Sequence, residues 1–132
     1  MKKLLLLGIL FLPLFAQAQN QTSLDTINAP ASSDNIFSWP LYSDSLSSSF
    51  AIIIKKEVKK HIHQFHSEQI YVISGEGDML IGDKTVHIKS GDIIFIPKNT
   101  PHAVKVTSAI PLKILSVQAP YYDGKDKVLL DK

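Results

Sequence analysis

Residues 61–75 read HIHQFHSEQIYVISG and carry most of the polar side chains that bear on function. Alternation of apolar and polar residues with a period of two is typical of a half-buried strand, and it predicts strands at Val58–Phe65 and Gln69–Ser74 with a short link between them. Because residues two apart on a strand share a face, we expect His61 and His63 to point the same way.

The same pattern extends through the rest of the chain after residue 50, and no amphipathic helix interrupts it. It predicts eight short strands: Phe50–Lys55, Val58–Phe65, Gln69–Ser74, Asp78–Ile81, Thr85–Ile88, Asp92–Ile96, His102–Val106 and Leu112–Val117. Short strands separated by tight turns indicate an all-β, antiparallel sandwich or barrel. Gly82-Asp83-Lys84 and Gly91-Asp92 are interpreted as successive hairpin connections.

Two further ligand-type residues are expected beside the histidine pair. Glu68 comes directly after the link and can return next to His61 and His63. His102 shares its face with two valines, whereas Lys105 takes the other face, so His102 is predicted to point inward. Burying these groups without partners would be costly, and a shared divalent cation removes that cost. The nitrogen and oxygen ligands suit Fe, Mn, Ni, Cu or Zn, and the sequence does not choose among them.

These residues resemble the first motif of the cupin family. His61 and His63 are followed, after four residues, by Glu68 and, after six more, by Gly75. Lys55 stands where the family motif opens with Gly.

The second cupin motif is met by Gly91, Pro97 and His102 at the family's spacing. Asn99 replaces its middle Gly and Val106 its final Asn. Asn tolerates the left-handed backbone that a turn Gly often supplies, so the first replacement is mild.

The resemblance covers about residues 50–117 and implies a double-stranded β-helix, or jelly-roll, barrel. It also implies a divalent metal bound by His61, His63, Glu68 and His102. Many single-domain cupins form dimers, so a homodimer is a further expectation. The segment Ile36–Tyr42 could take part in it.

Two functional classes remain open from the sequence. The first is a metal-dependent enzyme, with an oxygenase such as a dioxygenase as the leading case, that acts on a small organic substrate. The missing arginine argues against an enzyme that binds 2-oxoglutarate, but not against a quercetinase-like oxygenase. The second class is a non-catalytic binding module for a metal or for a small ligand such as a sugar. The substrate is not readable from a fold and ligand set that serve many chemistries.

The neighbouring candidates receive simpler interpretations. His66 is predicted to support the ligand residues from behind or to lie at the mouth of the pocket, with a solvent-exposed position as the alternative, and His87 is predicted to lie on the surface of a strand. Tyr71 is predicted to face outward, since it alternates with Glu68, whereas Phe65 shares the parity of the histidine pair and is expected to wall the pocket.

The N-terminus predicts export. Residues 1–18 combine Lys2-Lys3, a short apolar run and the sequence Ala16-Gln17-Ala18, which is typical of a secretory signal cleaved after Ala18. The expected organisation is this signal, a polar arm over residues 19–49 and a barrel over residues 50–132, in the periplasm or outside the cell. No membrane contact is expected after cleavage.

The amino-acid composition narrows the range of molecules that the protein is expected to bind. The 132-residue chain has no Cys, which excludes disulfides and thiolate metal sites. All 14 basic residues are lysines, against 12 acidic residues, and without Lys2 and Lys3 the charges balance. A neutral chain without arginine is a poor candidate for binding nucleic acid, so a small organic ligand is the expected partner.

Overall fold

The computed structural model describes residues 21–130. The predicted signal segment, residues 1–18, lies outside the described residues. Within the described range a single 3₁₀ turn, Leu24–Thr26, precedes ten strands: β1 Ile36–Ser43, β2 Ser48–Ile54, β3 Glu57–Ile62, β4 Ser67–Ser74, β5 Glu76–Ile81, β6 Lys84–Lys89, β7 Ile93–Ile96, β8 His102–Val106, β9 Leu112–Ala119 and β10 Val128–Leu129. Over residues 21–130 no helix is long and apolar enough to cross a membrane.

The strands form two five-stranded sheets that face each other. The first sheet has the order β1-β2-β9-β4-β7, and the second has the order β10-β3-β8-β5-β6. Every strand pair described is antiparallel. The predicted all-β, antiparallel fold is therefore confirmed.

The core lies between the two sheets and is built from the inward residues of both. Strand β9 shows the pattern clearly, because its residues alternate between buried and half-buried from Leu112 onward. The buried cluster consists of Ile54, Ile70, Val72, Met79, Ile88, Ile94, Ile96, Val104, Leu112 and Ile114. This apolar cluster is the hydrophobic core between the two sheets.

All eight predicted strands are present, with ends that differ by up to three residues. The largest difference is at β3, which ends at Ile62 rather than Phe65. Two strands were not predicted. Strand β1 lies in the stretch expected to be a polar arm, where it pairs with β2, and β10 lies in the C-terminal stretch, where it pairs with β3.

The turns agree with the sequence prediction at Asn99 and at Gly82-Asp83, but not at Gly91-Asp92. Asn99 has φ 62°, the left-handed conformation expected where it replaces Gly. The segment Gly82-Asp83 joins β5 and β6 as a hairpin, as predicted. The interpretation of Gly91-Asp92 as a second hairpin is wrong, because β6 and β7 belong to different sheets and this link crosses between them.

Candidate metal centre and adjoining pocket

Three histidine rings meet on the inner face of the second sheet. His61 of β3 lies directly opposite His102 of β8 in the strand register, and their ring centroids are 4.0 Å apart. His63 lies one residue beyond the end of β3, and its centroid is 5.1 Å from that of His61. One ring nitrogen from each of the three lies within 4.8 Å of the others. The predicted convergence of His61 and His63 with an inward His102 is therefore what the structure contains.

Backbone carbonyls fix the tautomer of all three rings. The Nδ1 atom of His61 lies 2.8 Å from the carbonyl of Lys59, and that of His102 lies 3.0 Å from the carbonyl of Thr100. His63 Nδ1 lies 2.5 Å from the carbonyl of Asp126. A carbonyl only accepts, so each Nδ1 carries the proton and each Nε2 keeps a free lone pair.

Burial keeps His61 and His63 neutral. Burial first, and then the adjacent His102 ring, lowers the pKa of His61 from 6.5 to about 3. Burial also lowers the pKa of His63. Neutral imidazole is the form that ligates metals, so these two rings are held in the ligating state at neutral pH.

Glu68 approaches two of these rings from the opposite sheet, although it is not one of the three residues whose ligand atoms all lie within 4.8 Å of one another. Its Oε2 lies 3.4 Å from His102 Nε2 and 3.9 Å from His63 Nε2. Its Oε1 accepts a hydrogen bond from the hydroxyl of Ser116. Burial alone would raise the pKa of Glu68, but hydrogen bonding to the carboxylate, to which the Ser116 hydroxyl contributes, outweighs burial and holds the pKa below its usual value. The carboxylate is therefore ionised and fixed in orientation.

This donor set fits a divalent cation. His102 Nε2 is buried and has no hydrogen-bond partner among the described residues, although Oε2 of Glu68 lies 3.4 Å away. The Nε2 lone pairs of the three rings converge within 4.8 Å of one another and the Glu68 carboxylate lies beside two of them, an arrangement that a positive charge between them would stabilise. A cation held by His61, His63, Glu68 and His102 would supply it.

A pocket adjoins the histidine cluster, with a cavity volume of about 190 Å³. Both sheets contribute apolar walls to it, including Ile52, Ile54 and Met79. Its polar lining is limited to the cluster itself, Ser38, Gln118, Tyr122 and Lys127. The pocket is thus an apolar chamber with its polar groups gathered around the candidate metal centre.

The C-terminal segment lies against this site through Asp126. Its carboxylate accepts hydrogen bonds from the backbone N–H groups of Gln64, Phe65 and His66. The same carboxylate lies 2.6 Å from His66 Nδ1. The ring of Tyr122 packs edge-on against His63 and His66. His66 is therefore a buried residue that supports the site, which agrees with the supporting role predicted for it and contradicts the solvent-exposed alternative.

Of the predictions made for the other residues near the site, those for Tyr71 and His87 are confirmed and that for Phe65 is wrong. Tyr71 and His87 are exposed, as predicted. Phe65 does not wall the pocket, because its side chain is 70% exposed. The period of two ends at His63, where the chain leaves β3 and turns under Asp126, so the strand parity does not apply to Phe65.

Four residues of the site were missed by the sequence reasoning: Ser116, Gln118, Tyr122 and Asp126. A signal existed for the first two, since they continue the inward series Leu112, Ile114 along β9 with polar side chains. Asp126 gave no such signal, because it sits in a turn-prone stretch where aspartate is ordinary.

Comparison with known proteins identifies the family. Residues 51–118 match the cupin domain, so the chain belongs to the cupin family. It is 35% identical over 71 residues to an uncharacterized protein of Methanocaldococcus jannaschii, with 54% of this chain and 57% of that protein aligned. It is 33% identical over 84 residues to an uncharacterized protein of Aquifex aeolicus, with 64% of this chain and 69% of that protein aligned. The chain thus spans little more than half of the first of these relatives.

Solved structures show the same fold. An uncharacterized protein with a double-stranded β-helix domain from Klebsiella pneumoniae superposes with a TM-score of 0.72 at 23% identity, covering 85% of this chain and 97% of that one. The polyketide cyclase RemF of Streptomyces resistomycificus superposes with a TM-score of 0.64 at 17% identity, covering 75% of this chain and 73% of that one. The predicted cupin jelly roll is confirmed.

Proposed function

We propose that this cupin binds one divalent transition metal through His61, His63, Glu68 and His102 and acts with it as an enzyme on a small organic molecule in the adjoining pocket. The observation that carries the proposal is the common tautomer of the three rings. Each Nδ1 proton is held by a backbone carbonyl, so the three Nε2 lone pairs are committed to the same point. Neutral imidazoles with a carboxylate suit Fe, Mn, Ni, Cu or Zn.

The bound cation would supply Lewis acidity and, if it is redox-active, oxygen chemistry of the dioxygenase type. The chain contributes the rest. Ser116 fixes the Glu68 carboxylate, and the apolar walls exclude water from the substrate side. Tyr122 places its ring beside His63 at the edge of the pocket. Each of these groups positions the ligand set or the substrate.

A non-catalytic binding module is the second candidate, and one observation favours it. Glu68 is the carboxylate among the pocket-lining residues, and it is held by Ser116 with its pKa lowered. A carboxylate fixed in this way is a better ligand than proton acceptor, which leaves Tyr122 and Lys127 as the titratable groups of the lining outside the proposed ligand set. Such a site could hold a metal or a small ligand such as a sugar without turning it over.

Elemental analysis tests the metal proposal. The protein is purified without chelator or nickel resin, alongside the variants His63→Ala and His87→Ala. We expect near-stoichiometric metal in the wild type and in His87→Ala, whose ring is exposed, and its loss in His63→Ala. Full occupancy in His63→Ala, or no binding after reconstitution with each divalent cation, would overturn the proposal. Oxygen uptake by the loaded protein across a panel of small organic compounds then separates the enzyme from the binding module.

Export is part of the proposal and rests on the sequence pattern of residues 1–18. Expression of the full chain in a bacterium with a Sec pathway is expected to yield a periplasmic product that begins at Gln19. A cytoplasmic product that retains Met1 would contradict export and leave the metal proposal untouched.

A further inference from the structure

Gln118 occupies an unusual position for an amide. It lies next to the end of β9, where the strand register places it directly opposite Glu68 of β4 on one side and Ser48 of β2 on the other. Residues opposite each other in antiparallel strands share a face, so the amide lies beside the Glu68 carboxylate on the inner face of the first sheet. Gln118 lines the pocket and is only 5% exposed.

The amide of Gln118 lacks a partner. Its Oε1 is buried and has no hydrogen-bond partner among the described residues. Buried polar atoms are almost always hydrogen-bonded, and an exception inside a pocket points to a group that arrives with a ligand. Ser116, two residues earlier on the same face, is by contrast committed to Glu68.

The surroundings of Gln118 select the kind of group that it would bind. A hydroxyl both donates and accepts, so it satisfies the amide whichever way its oxygen and nitrogen are turned. The oxygens of a carboxylate or phosphate only accept, so an anionic group brings no hydrogen to the orphaned Oε1 of Gln118. A neutral hydroxyl is therefore the group that fits.

The rest of the pocket selects the body of the ligand. Its walls are mainly aliphatic, and the rings of Phe50 and Tyr122, which meet edge-on at 6.1 Å, line the same pocket as Gln118. The cavity volume is about 190 Å³. A cavity of about 150 Å³ with apolar walls holds one benzene molecule. One substituted ring therefore fills this pocket.

We propose that the pocket binds a single-ring aromatic compound and that Gln118 binds a hydroxyl of that ring, next to the histidine cluster. The inference rests on the proposed function in that it names the substrate class of the same site. It makes Gln118 a specificity-determining residue that distinguishes a phenol from an aromatic compound of the same shape without the hydroxyl.

Phenol and toluene are the matched probes, because a hydroxyl in one takes the place of a methyl group in the other. Their affinities are measured by NMR titration of the isotope-labelled protein. We expect the wild type to bind phenol about ten-fold more tightly than toluene, because toluene would leave the buried amide of Gln118 unpaired. Gln118→Met keeps the length of the side chain, and it should abolish this preference while toluene binds at least as well as before. Gln69→Met on the outer face of β4 is the matched control and should leave the preference unchanged.

Several outcomes would overturn the inference. An equal phenol preference in the wild type and Gln118→Met would mean that the amide meets only water. The absence of phenol binding, or a stronger affinity for myo-inositol than for phenol, would refute the aromatic class. If Gln118→Met fails to fold, Gln118→Asn, which withdraws the amide by one methylene, is expected to lose the preference in its place. Metal content is measured on the same samples, so that a failed phenol preference at full metal occupancy refutes this inference alone, and a phenol preference without metal refutes the metal proposal alone.

Discussion

Asp126 and His66, sixty residues apart in the chain, form a buried ion pair at the edge of the candidate metal centre. The Oδ2 atom of Asp126 lies 2.6 Å from His66 Nδ1, and the other ring nitrogen lies 2.8 Å from the carbonyl of Tyr121. Both partners only accept, so the ring carries two protons and is cationic. Burial opposes this charge, but Asp126 and the Tyr121 carbonyl prevail and raise the pKa of His66. The pair ties the C-terminal segment to the turn that presents His63.

Asp126→Ala is predicted to destabilise the fold and loosen the C-terminal segment. The change leaves His66 and three backbone N–H groups without their acceptor. Removal of one partner from a buried ion pair costs about 3 kcal/mol, and we expect a fall of that size in the free energy of unfolding. Chemical denaturation measures it, and hydrogen exchange at residues 121–130 reports the loosening.

Asp123→Ala is the matched control for that variant. Asp123 is exposed and contacts Lys125, accepting a hydrogen bond from its backbone N–H at 3.0 Å and lying 3.4 Å from its Nζ. Its removal should change stability by no more than about 0.5 kcal/mol. Equal losses in the two variants would show that the Asp126 network does not hold the segment.

Ser116→Ala is predicted to weaken metal binding without removing a ligand. The Ser116 hydroxyl donates to Oε1 of Glu68 and thereby orients the carboxylate. Loss of such a supporting hydrogen bond typically lowers metal affinity about 10-fold or more. Competition with a chromophoric chelator at pH 7 measures the affinity. Ser90 lies in the turn after β6, and its hydroxyl donates to the carbonyl of Ile73. Ser90→Ala removes this hydrogen bond and should leave the metal affinity as it was.

The sequence predicted the site correctly where the chain forms a regular strand with a period of two. This periodicity applied to His61, Glu68 and His102, because each lies on a strand or at its start and faces inward. It failed at Phe65, where the chain had already turned. The sheet order and the partner of His63 depend on contacts between distant residues. Local pattern contains no information about which strand pairs with β3 or where Asp126 comes to lie.

A pH-dependent interaction of His87 with the carboxylates of Asp78 and Glu76 is predicted on the outer surface. Its Nδ1 lies 2.9 Å from Asp78 and its Nε2 lies 3.4 Å from Glu76, and the hydrogen bond to Asp78 in particular raises the pKa of His87 above 6.5. A raised pKa in the folded state means that the pair stabilises the fold fully below pH 6.5 and that this contribution is lost as the pH rises through the folded pKa. NMR titration of the ring should show a midpoint above 6.5. Asp78→Asn is expected to move that midpoint downward, whereas Asp83→Asn in the neighbouring turn should leave it in place.

Two glycines with left-handed backbones are predicted to respond differently to alanine. Gly75 has φ 79° and Gly82 has φ 64°. A Cβ on Gly75 would lie 2.5 Å from the carbonyl oxygen of Pro111 and 2.8 Å from Cα of Leu112, whereas a Cβ on Gly82 would meet nothing within 4 Å. Gly82→Ala should therefore cost only the backbone strain of an L residue, about 1 kcal/mol. Gly75→Ala must in addition push β4 and β9 apart, so its loss of unfolding free energy should exceed that of Gly82→Ala by at least about 1 kcal/mol. Denaturant unfolding of the two variants side by side decides the matter, and equal losses would mean that the link between β4 and β5 can move away from Pro111 at no cost.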